Sequence, residues 1–321
     1  MIELRGVDKK LLELLSENPR IKIAELSRKL KISRNRTKKK LERLEKELGI
    51  KYTIELNEER EGIELSFMVI IKLKKEIDEK YIKKIFSKSY IPQFVAVTKG
   101  DFDLFIYGIA QTKRDYDFWE VDVRQKLYGF VENWDNLLIL SRRISSFPVN
   151  EKIIKKSKLK QREKEIIIEL NKNSRISLKD LAKKVNISKP LLRHYLDYFE
   201  KEKIIKYDTI LSERTYPSNL ITLRDLQVPQ NFTEINKKFR NVFVQNIKNI
   251  PYASRLIGNF NHCTITSFSS AGESYEFEKK ISNAAKTMIG KSMSAFILKI
   301  VIGNLFSNHF VKEEIYHAPK Y

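Results

Sequence analysis

The chain repeats itself, and this repeat constrains its architecture more than any other feature. The 42 residues from Leu15 to Leu56 align without a gap with the 42 residues from Leu170 to Leu211, and 16 of the aligned pairs are identical. The offset between the copies is a constant 155 residues, as Ser33 and Ser188 show. An ungapped self-match of this length indicates a duplicated structural unit.

The first copy has the pattern of a winged helix-turn-helix. Asp8 precedes an apolar helical pattern and is expected to cap it, and a second helix should begin near Ile23. Ser33 follows a short turn and is placed to cap a third helix, after which residues 51–57 would turn back as the wing. The spacing of the third helix buries one face: Thr37, Leu41, Leu44 and Leu48.

The outer face of the third helix has the composition of a DNA-reading surface. Residues 33–48 hold seven Lys or Arg against three Glu. Arg and Lys donate to guanine, Asn can bridge adenine, and the remaining cations bind phosphates. The alternative is a solvated lysine-rich helix. We predict that this segment contacts DNA through Ser33, Arg34, Asn35, Arg36, Lys38, Lys39, Lys40 and Arg43.

The second copy is less basic. Residues 188–203 hold four Lys or Arg against three acids, and Pro190 and Leu191 stand where the first copy has Asn35 and Arg36. Proline is tolerated in the first turn of a helix, so the helix itself should form. We expect the first copy to do most of the sequence reading and the second to bind DNA weakly or to contact protein. The DNA contacts predicted here are Ser188, Lys189, Arg193 and His194.

The segments that follow the two copies share an order of elements. Apolar runs alternate with helical patterns as strand–helix–strand–strand–helix–strand, from residue 67 to 140 and again from 220 to 302. That order is typical of a ferredoxin-like domain. We therefore expect an α+β fold in which two winged helix-turn-helix domains alternate with two ferredoxin-like βαββαβ domains.

Domain boundaries follow from this pattern. We expect winged helices at 1–60 and 155–213, ferredoxin-like domains at 61–144 and 214–303, a basic linker leading into a helix at 145–164, and a C-terminal tail at 304–321 to which we assign no role.

Composition limits the possible functions. The net charge of +21 attracts polyanions, although a lysine-rich proteome would have the same effect. Cys263 is the single cysteine, so no disulfide is expected and a reducing cytoplasm fits. Apolar runs fall short of the ~20 residues that cross a bilayer, so no membrane contact is expected.

With these motifs the chain resembles the Lrp/AsnC, or feast/famine, family of regulators, twice over. The family pattern appears as Arg20-Ile21, Glu25-Leu26-Ser27 and Ile32-Ser33, and again as Arg175-Ile176-Ser177, Asp180-Leu181-Ala182 and Ile187-Ser188. Gly100-Asp101-Phe102-Asp103 matches the family's Gly-x-(Tyr/Phe)-Asp turn, whereas Gly258-Asn259-Phe260-Asn261 departs from it.

The resemblance implies partners. Double-stranded DNA is one expected partner, and a small effector such as an amino acid is another. The resemblance also implies self-association through the ferredoxin-like domains, which here would occur within one fused chain. An effector site would involve Gly100, Asp101, Phe102 and Asp103, although these residues could equally form only a tight turn.

Catalytic and metal sites are not expected. His262 and Cys263 are adjacent in a strand and point to opposite faces, and no metal-ligand spacing, P-loop or dinucleotide fingerprint occurs. We therefore expect no cofactor and no enzymatic activity. Two alternatives stay open: a sequence-tolerant chromatin protein, and a siroheme-decarboxylase-like enzyme, which would share the architecture and would use groups such as Arg255 and His262.

Overall fold

The computed structural model describes residues 6–57, 62–144, 151–210, 218–246 and 249–303. The chain forms two units: the first contains residues 1–63 and 148–215, and the second contains residues 64–147 and 216–321. The helices are α1 (Gly6–Glu17), α2 (Ile23–Leu30), α3 (Arg34–Leu48), α4 (Glu79–Phe86), α5 (Lys113–Lys126), α6 (Glu151–Lys156), α7 (Gln161–Lys172), α8 (Leu178–Lys184), α9 (Lys189–Lys201), α10 (Phe232–Gln245) and α11 (Ala271–Ala284). The strands are β1 (Lys51–Leu56), β2 (Leu65–Leu73), β3 (Pro92–Gly100), β4 (Leu104–Ala110), β5 (Val131–Ile144), β6 (Ile205–Ile210), β7 (Ser218–Leu226), β8 (Tyr252–Ile257), β9 (His262–Phe268) and β10 (Ile289–Ile302).

The first unit holds both winged-helix repeats. Helices α1–α3 and α7–α9 occupy matching positions, and α7 begins and ends 155 residues after α1. A short turn at Lys31, in the left-handed conformation, separates α2 from α3, and Gly49, with φ 59°, caps the carboxyl end of α3. The inner face of α3 is buried as predicted, because Thr37, Leu41, Leu44 and Leu48 recur at 3–4 spacing.

A strand from each repeat joins the two repeats within this unit. The segment expected to turn back as a wing is strand β1, which pairs antiparallel with β6 from Lys51 opposite Ile210 to Leu56 opposite Ile205. Its hydrogen-bonding partner is therefore the other repeat. Periodicity in the sequence does not identify this partner, because strand pairing is non-local.

Reciprocal arginines strengthen this pairing. The Arg20 guanidinium donates to the Ser174 carbonyl at 2.5 Å, and the Arg175 guanidinium donates to the Pro19 carbonyl at 2.7 Å. Arg20 also stacks over the ring of Tyr207, and Arg175 stacks over the ring of Tyr52. The two repeats are thus held together by equivalent contacts, as two subunits of a dimer would be.

The second unit is a closed eight-stranded sheet made from both ferredoxin-like halves, in the order β10-β3-β4-β2-β5-β8-β9-β7. The two long strands close it: β5 pairs with β2 of its own half and with β8 of the other, and β10 pairs with β7 and β3 in the same way. Each half has the βαββαβ order, so the predicted α+β fold class is confirmed.

The two halves of this unit have separate cores beneath their helices. In the first half the strand residues Phe67, Val69 and Ile106 pack on Trp119 and Val123 of α5. In the second half Phe239 and Phe243 of α10 pack with Phe277 and Ile281 of α11.

Two local expectations need correction. Asp8 is not an N-cap: α1 already begins at Gly6, and Asp8 lies within its first turn with 1% exposure. Within the expected linker, residues 151–156 form helix α6, whose Ile153 and Ile154 are buried. Residues 145–150 of that linker and the tail from 304 lie outside the described residues. No described helix has both the length and the apolar character needed to cross a membrane.

Candidate DNA-binding surface

The amino-terminal end of α3 is built as a rigid platform. The Ser33 hydroxyl accepts a hydrogen bond from the Arg36 amide at 3.3 Å, which caps the helix. The Thr37 hydroxyl donates to the Ser33 carbonyl at 3.0 Å, and Thr37 is fully buried. The first turn is therefore fixed from both sides, and the side chains between these positions point outward.

Those outward side chains are cationic and accessible. Arg34, Arg36 and Lys39 are exposed and make no ion pair with the residues that the structure describes. Lys38 makes only a 3.8 Å contact with Glu42, and both side chains are more than half exposed. Together with exposed Asn35, these cations lie at the positive end of the helix dipole, where phosphate binding is favoured.

Lys40 and Arg43, which were predicted to contact DNA with the other cations, are placed differently. Lys40 Nζ lies 2.8 Å from Asp8 Oδ1, and Arg43 Nη2 lies 2.6 Å from Asp8 Oδ2. Burial alone would raise the pKa of the Asp8 carboxyl, but hydrogen bonds and charge from Lys40 and Arg43 outweigh it and hold the pKa below its ordinary value. Arg43 also approaches Glu47. These two cations connect α3 to α1.

The second copy keeps the platform without the cationic face. The Ser188 hydroxyl caps α9 by accepting from the Leu191 amide at 3.3 Å. Lys189, Arg193 and His194, which are among the DNA contacts predicted in this copy, are exposed, and so is Leu191 beside them, at 44%.

The helix-docking ion pairs are also missing from this copy. Glu163 stands at the position of Asp8 and accepts a hydrogen bond from the Lys160 amide at 2.8 Å. Tyr195 and Tyr198 stand at the positions of Lys40 and Arg43. Helix α9 is therefore docked without an equivalent pair of ionic contacts to Glu163.

The predicted effector turn is occupied by backbone interactions. Gly100 has φ +149°, and a Cβ there would lie 2.3 Å from the Ser294 carbonyl oxygen. Asp101 accepts from the Ser294 amide at 2.7 Å, and Asp103 accepts from the Leu73 amide at 2.8 Å. Phe102 is buried. The turn between β3 and β4 is thus bonded to β10 and β2, and a small-molecule site there stays a prediction.

The diverged second turn preserves this role. Gly258 has φ +146°, and Phe260 is buried. Asn261 accepts from the Leu226 amide at 2.8 Å, as Asp103 does from Leu73. The Asp-to-Asn change therefore keeps the hydrogen-bond acceptor that the turn requires.

The sequence reading missed a buried polar layer in the second ferredoxin-like half. Arg224 is 1% exposed, and its guanidinium donates to Thr264 and to Glu278 of α11. The equivalent strand position in the first half is Ile71, which is fully buried in an apolar core. Aligning the halves strand by strand would have revealed this exchange.

His262 lies at the edge of that layer. Its ring is 8% exposed and lies edge-on to Phe239 and Phe243 at 5.8 and 5.7 Å. Arg255 is opposite His262 in the β8–β9 register and is exposed. Cys263 is buried, which raises its thiol pKa. Among the described residues, no group of three or more His, Cys, Asp or Glu is arranged to hold a metal ion.

Comparison with known proteins identifies both winged-helix repeats. The winged helix-turn-helix DNA-binding family model matches residues 4–47, which contain α1, α2 and all but the last residue of α3, and residues 159–206, which contain α7–α9. No curated protein is similar enough in sequence to be matched.

Solved structures extend the likeness to the whole chain. The siroheme decarboxylase NirDL covers 97% of this chain and 96% of its own, with a TM-score of 0.61 and 14% identity, and a second structure of that enzyme holds an iron-uroporphyrin III analogue. E. coli AsnC covers 45% of this chain and 97% of its own, with a TM-score of 0.40 and 18% identity. A Neisseria meningitidis transcriptional regulator in complex with L-Met covers 43% and 91%, with a TM-score of 0.39 and 19% identity.

The full-length match corrects one expectation. We expected the chain not to be an enzyme, and this expectation is contradicted, because a structure that covers 97% of this chain is that of a decarboxylase. This chain therefore shares its overall fold with an enzyme.

Proposed function

We propose that this chain, a tandem of two Lrp/AsnC-like units, is a sequence-specific DNA-binding transcriptional regulator in which the first winged helix is the main reader. The observation that supports this proposal is the amino-terminal face of α3. Arg34, Asn35, Arg36 and Lys39 are exposed there on a capped, docked helix. Base-reading side chains in the first turns and apolar side chains beneath them are what a recognition helix requires.

The proposal includes a fixed relation between the two reading helices. Strands β1 and β6 and the arginines Arg20 and Arg175 hold both winged helices in one unit. An intramolecular pseudo-dimer of this kind would place both winged helices on one duplex as a single body. The second winged helix would bind without first having to associate from a separate molecule. Because the exposed face of α9 has Leu191 where α3 has Arg36, the preferred DNA site should be asymmetric.

A small effector such as an amino acid is proposed as a modulator on the family resemblance alone. The Asp101 and Asp103 carboxylates of the expected site already accept backbone amides, so an effector there would have to bind beside them. Isothermal titration with the common amino acids, with and without DNA, tests this part separately.

The main experiment is a footprint of the full chain on its own upstream DNA and on duplexes selected from a random pool, at low and near-physiological salt. A protected site that survives the higher salt supports a sequence-specific regulator. Binding that spreads along every duplex and vanishes with salt supports the sequence-tolerant chromatin protein instead. No protection at either salt refutes DNA binding.

Matched variants test which helix reads. Arg36→Ala is expected to weaken binding to the selected duplex at least about fivefold, since a bidentate base contact contributes about 1–3 kcal/mol. Arg193 is an exposed arginine of α9 and stands at the position of Lys38 of α3. Arg193→Ala should weaken binding less than about threefold, the scale of one screened phosphate contact. Equal losses would refute the asymmetry.

A gain-of-function variant tests the same idea from the other side. Leu191→Arg places on α9 the side chain that α3 has at Arg36. On a duplex with two copies of the α3 half-site, this variant should bind at least about fivefold more tightly than the parent, through the base contact that Arg36 is proposed to make. Leu191→Gln is the uncharged control and should not gain this affinity.

A siroheme-decarboxylase-like enzyme is the second candidate, because that fold matches the chain over nearly its whole length. Adding siroheme to the purified chain and recording both the visible spectrum and the mass of the tetrapyrrole tests it. A bound spectrum and loss of carbon dioxide would support this function, and an unchanged spectrum and mass would reject it.

A further inference from the structure

We infer that Asp8 is a positioning residue: it sets the orientation of helix α3 on helix α1 and thereby the sequence selectivity of the first winged helix. This inference rests on the proposed function. Asp8 lies in the first turn of α1 with 1% of its side chain exposed. Its two ion-pair partners, Lys40 and Arg43, follow the proposed reading segment, Arg34–Lys39, along α3, so its effect on DNA would act through α3.

The geometry is that of a two-point clamp. One carboxylate oxygen of Asp8 contacts Lys40 at 2.8 Å, and the other contacts Arg43 at 2.6 Å. Lys40 and Arg43 are three residues apart on α3, so their backbone positions lie almost one helical turn apart while their side chains converge on one carboxylate. Two side chains that leave α3 at different heights and meet at one fixed point on α1 restrict both the rotation of α3 about its own axis and its sliding along α1.

The apolar face of α3 alone would restrict these motions less. Thr37, Leu41, Leu44 and Leu48 form a single buried stripe on α3, and apolar packing is non-directional. Hydrogen bonds to base edges, in contrast, require side chains held within about 0.5 Å and 10–20° of their working geometry. The ion pairs of Asp8 with Lys40 and Arg43 are directional, so they fix the orientation of α3 on α1 where the apolar stripe does not.

The same clamp changes the charge available to DNA. Residues 33–48 contain seven cations, and Asp8 engages two of them, so fewer are free to attract phosphates without regard to sequence. Asp8 therefore favours selective over non-selective binding in two ways, by orienting the reading side chains and by withdrawing cations. Loss of Asp8 should lower selectivity while increasing bare attraction to DNA.

The second repeat supports this assignment by contrast. It has Tyr195 and Tyr198 in place of the two cations, and its Glu163 accepts the Lys160 amide near the start of α7. The clamp thus occurs on the repeat whose helix carries the reading face. A glutamate substitution in the second repeat provides a matched control.

The test compares the full-length chain with Asp8→Asn, Asp8→Glu and Glu163→Gln on the selected duplex and on a scrambled duplex, across a range of salt. We expect Asp8→Asn to weaken binding to the selected duplex at least about fivefold, the loss of one bidentate base contact. On the scrambled duplex its affinity should hold or rise, with a salt slope steeper by up to about 1.8 from two released cations.

The remaining variants separate positioning from simple loss of fold. Asp8→Glu retains the charge and should restore most of the selectivity, and Glu163→Gln should leave it unchanged. A variant that merely unfolded the domain would lose both duplexes together. Unchanged selectivity in Asp8→Asn, or an equal loss in Glu163→Gln, overturns the inference.

A measurement without DNA keeps the inference apart from the proposed function. Hydrogen exchange of the α3 amides should become faster in Asp8→Asn, while that of the α9 amides should not change. If the parent chain prefers no duplex, the proposed function fails, and this exchange pattern still tests the clamp. Unchanged exchange in α3 would overturn the positioning role whatever the DNA result.

Discussion

The Arg224–Glu278 pair provides the sharpest test of how the second ferredoxin-like half is stabilised. Arg224 is 1% exposed and donates to both Glu278 and Thr264. Glu278→Gln removes the negative partner while the guanidinium stays buried. Breaking a buried ion pair in this way costs about 3–5 kcal/mol, and because the Glu278 side chain is 21% exposed, we expect a value near the lower limit, about 3 kcal/mol.

Comparison with the first half indicates a second substitution that should restore the stability lost in Glu278→Gln. The first half has Ile71 where the second has Arg224, and Glu120 where the second has Glu278. Arg224→Ile in the Glu278→Gln background removes the stranded charge, and replacement of buried pairs by apolar residues is often neutral. The double variant should recover at least about 2 kcal/mol of the loss, a coupling expected for residues in contact.

Urea denaturation followed by two probes measures this effect. Circular dichroism reports the whole chain, whereas fluorescence reports the first half, because both tryptophans, Trp119 and Trp134, lie there. Glu278→Gln should therefore shift the dichroism midpoint more than the fluorescence midpoint. A loss below about 1 kcal/mol in the single variant, or a double variant as unstable as the sum of its parts, would refute the reasoning.

Four further outcomes follow from named contacts. Gly100→Ala should destabilise the second unit by about 3 kcal/mol or more, because its positive φ and the carbonyl facing it leave no room for a Cβ, and thermal unfolding measures this. Arg20→Ala and Arg175→Ala should each cost about 1–2 kcal/mol of the stability of the winged-helix unit, read by hydrogen exchange in the two paired strands, and a loss in one variant alone would contradict the equivalence of these contacts. Cys263 should react with iodoacetamide no faster than the chain unfolds, because burial raises its thiol pKa, and fast labelling of the folded protein would exclude this. The lowered pKa of Asp8 stabilises the fold above its unfolded pKa of about 4, and this contribution is lost as pH falls through the lower folded value, so Asp8→Asn should flatten the acid stability curve there.

Local order along the chain could be predicted from the sequence. The 155-residue repeat, the 3–4 spacing of Thr37, Leu41 and Leu44, and the capping position of Ser33 all reappear in the structure. These features depend on residues a few positions apart, so a single sequence contains them. The tandem architecture and the exposed basic end of α3 could therefore be predicted from the sequence alone.

Long-range partners were decided only by the tertiary structure. Asp8 has the sequence signature of an N-cap, yet its carboxylate binds cations 32 and 35 residues away. Strand β1 pairs with β6 of the other repeat. From the sequence Arg224 is only a polar residue in a strand, and the structure shows that Glu278 is its partner. Charge and hydrogen-bonding capacity are properties of a residue, but the partner that satisfies them is chosen by chain topology, and topology is absent from local pattern.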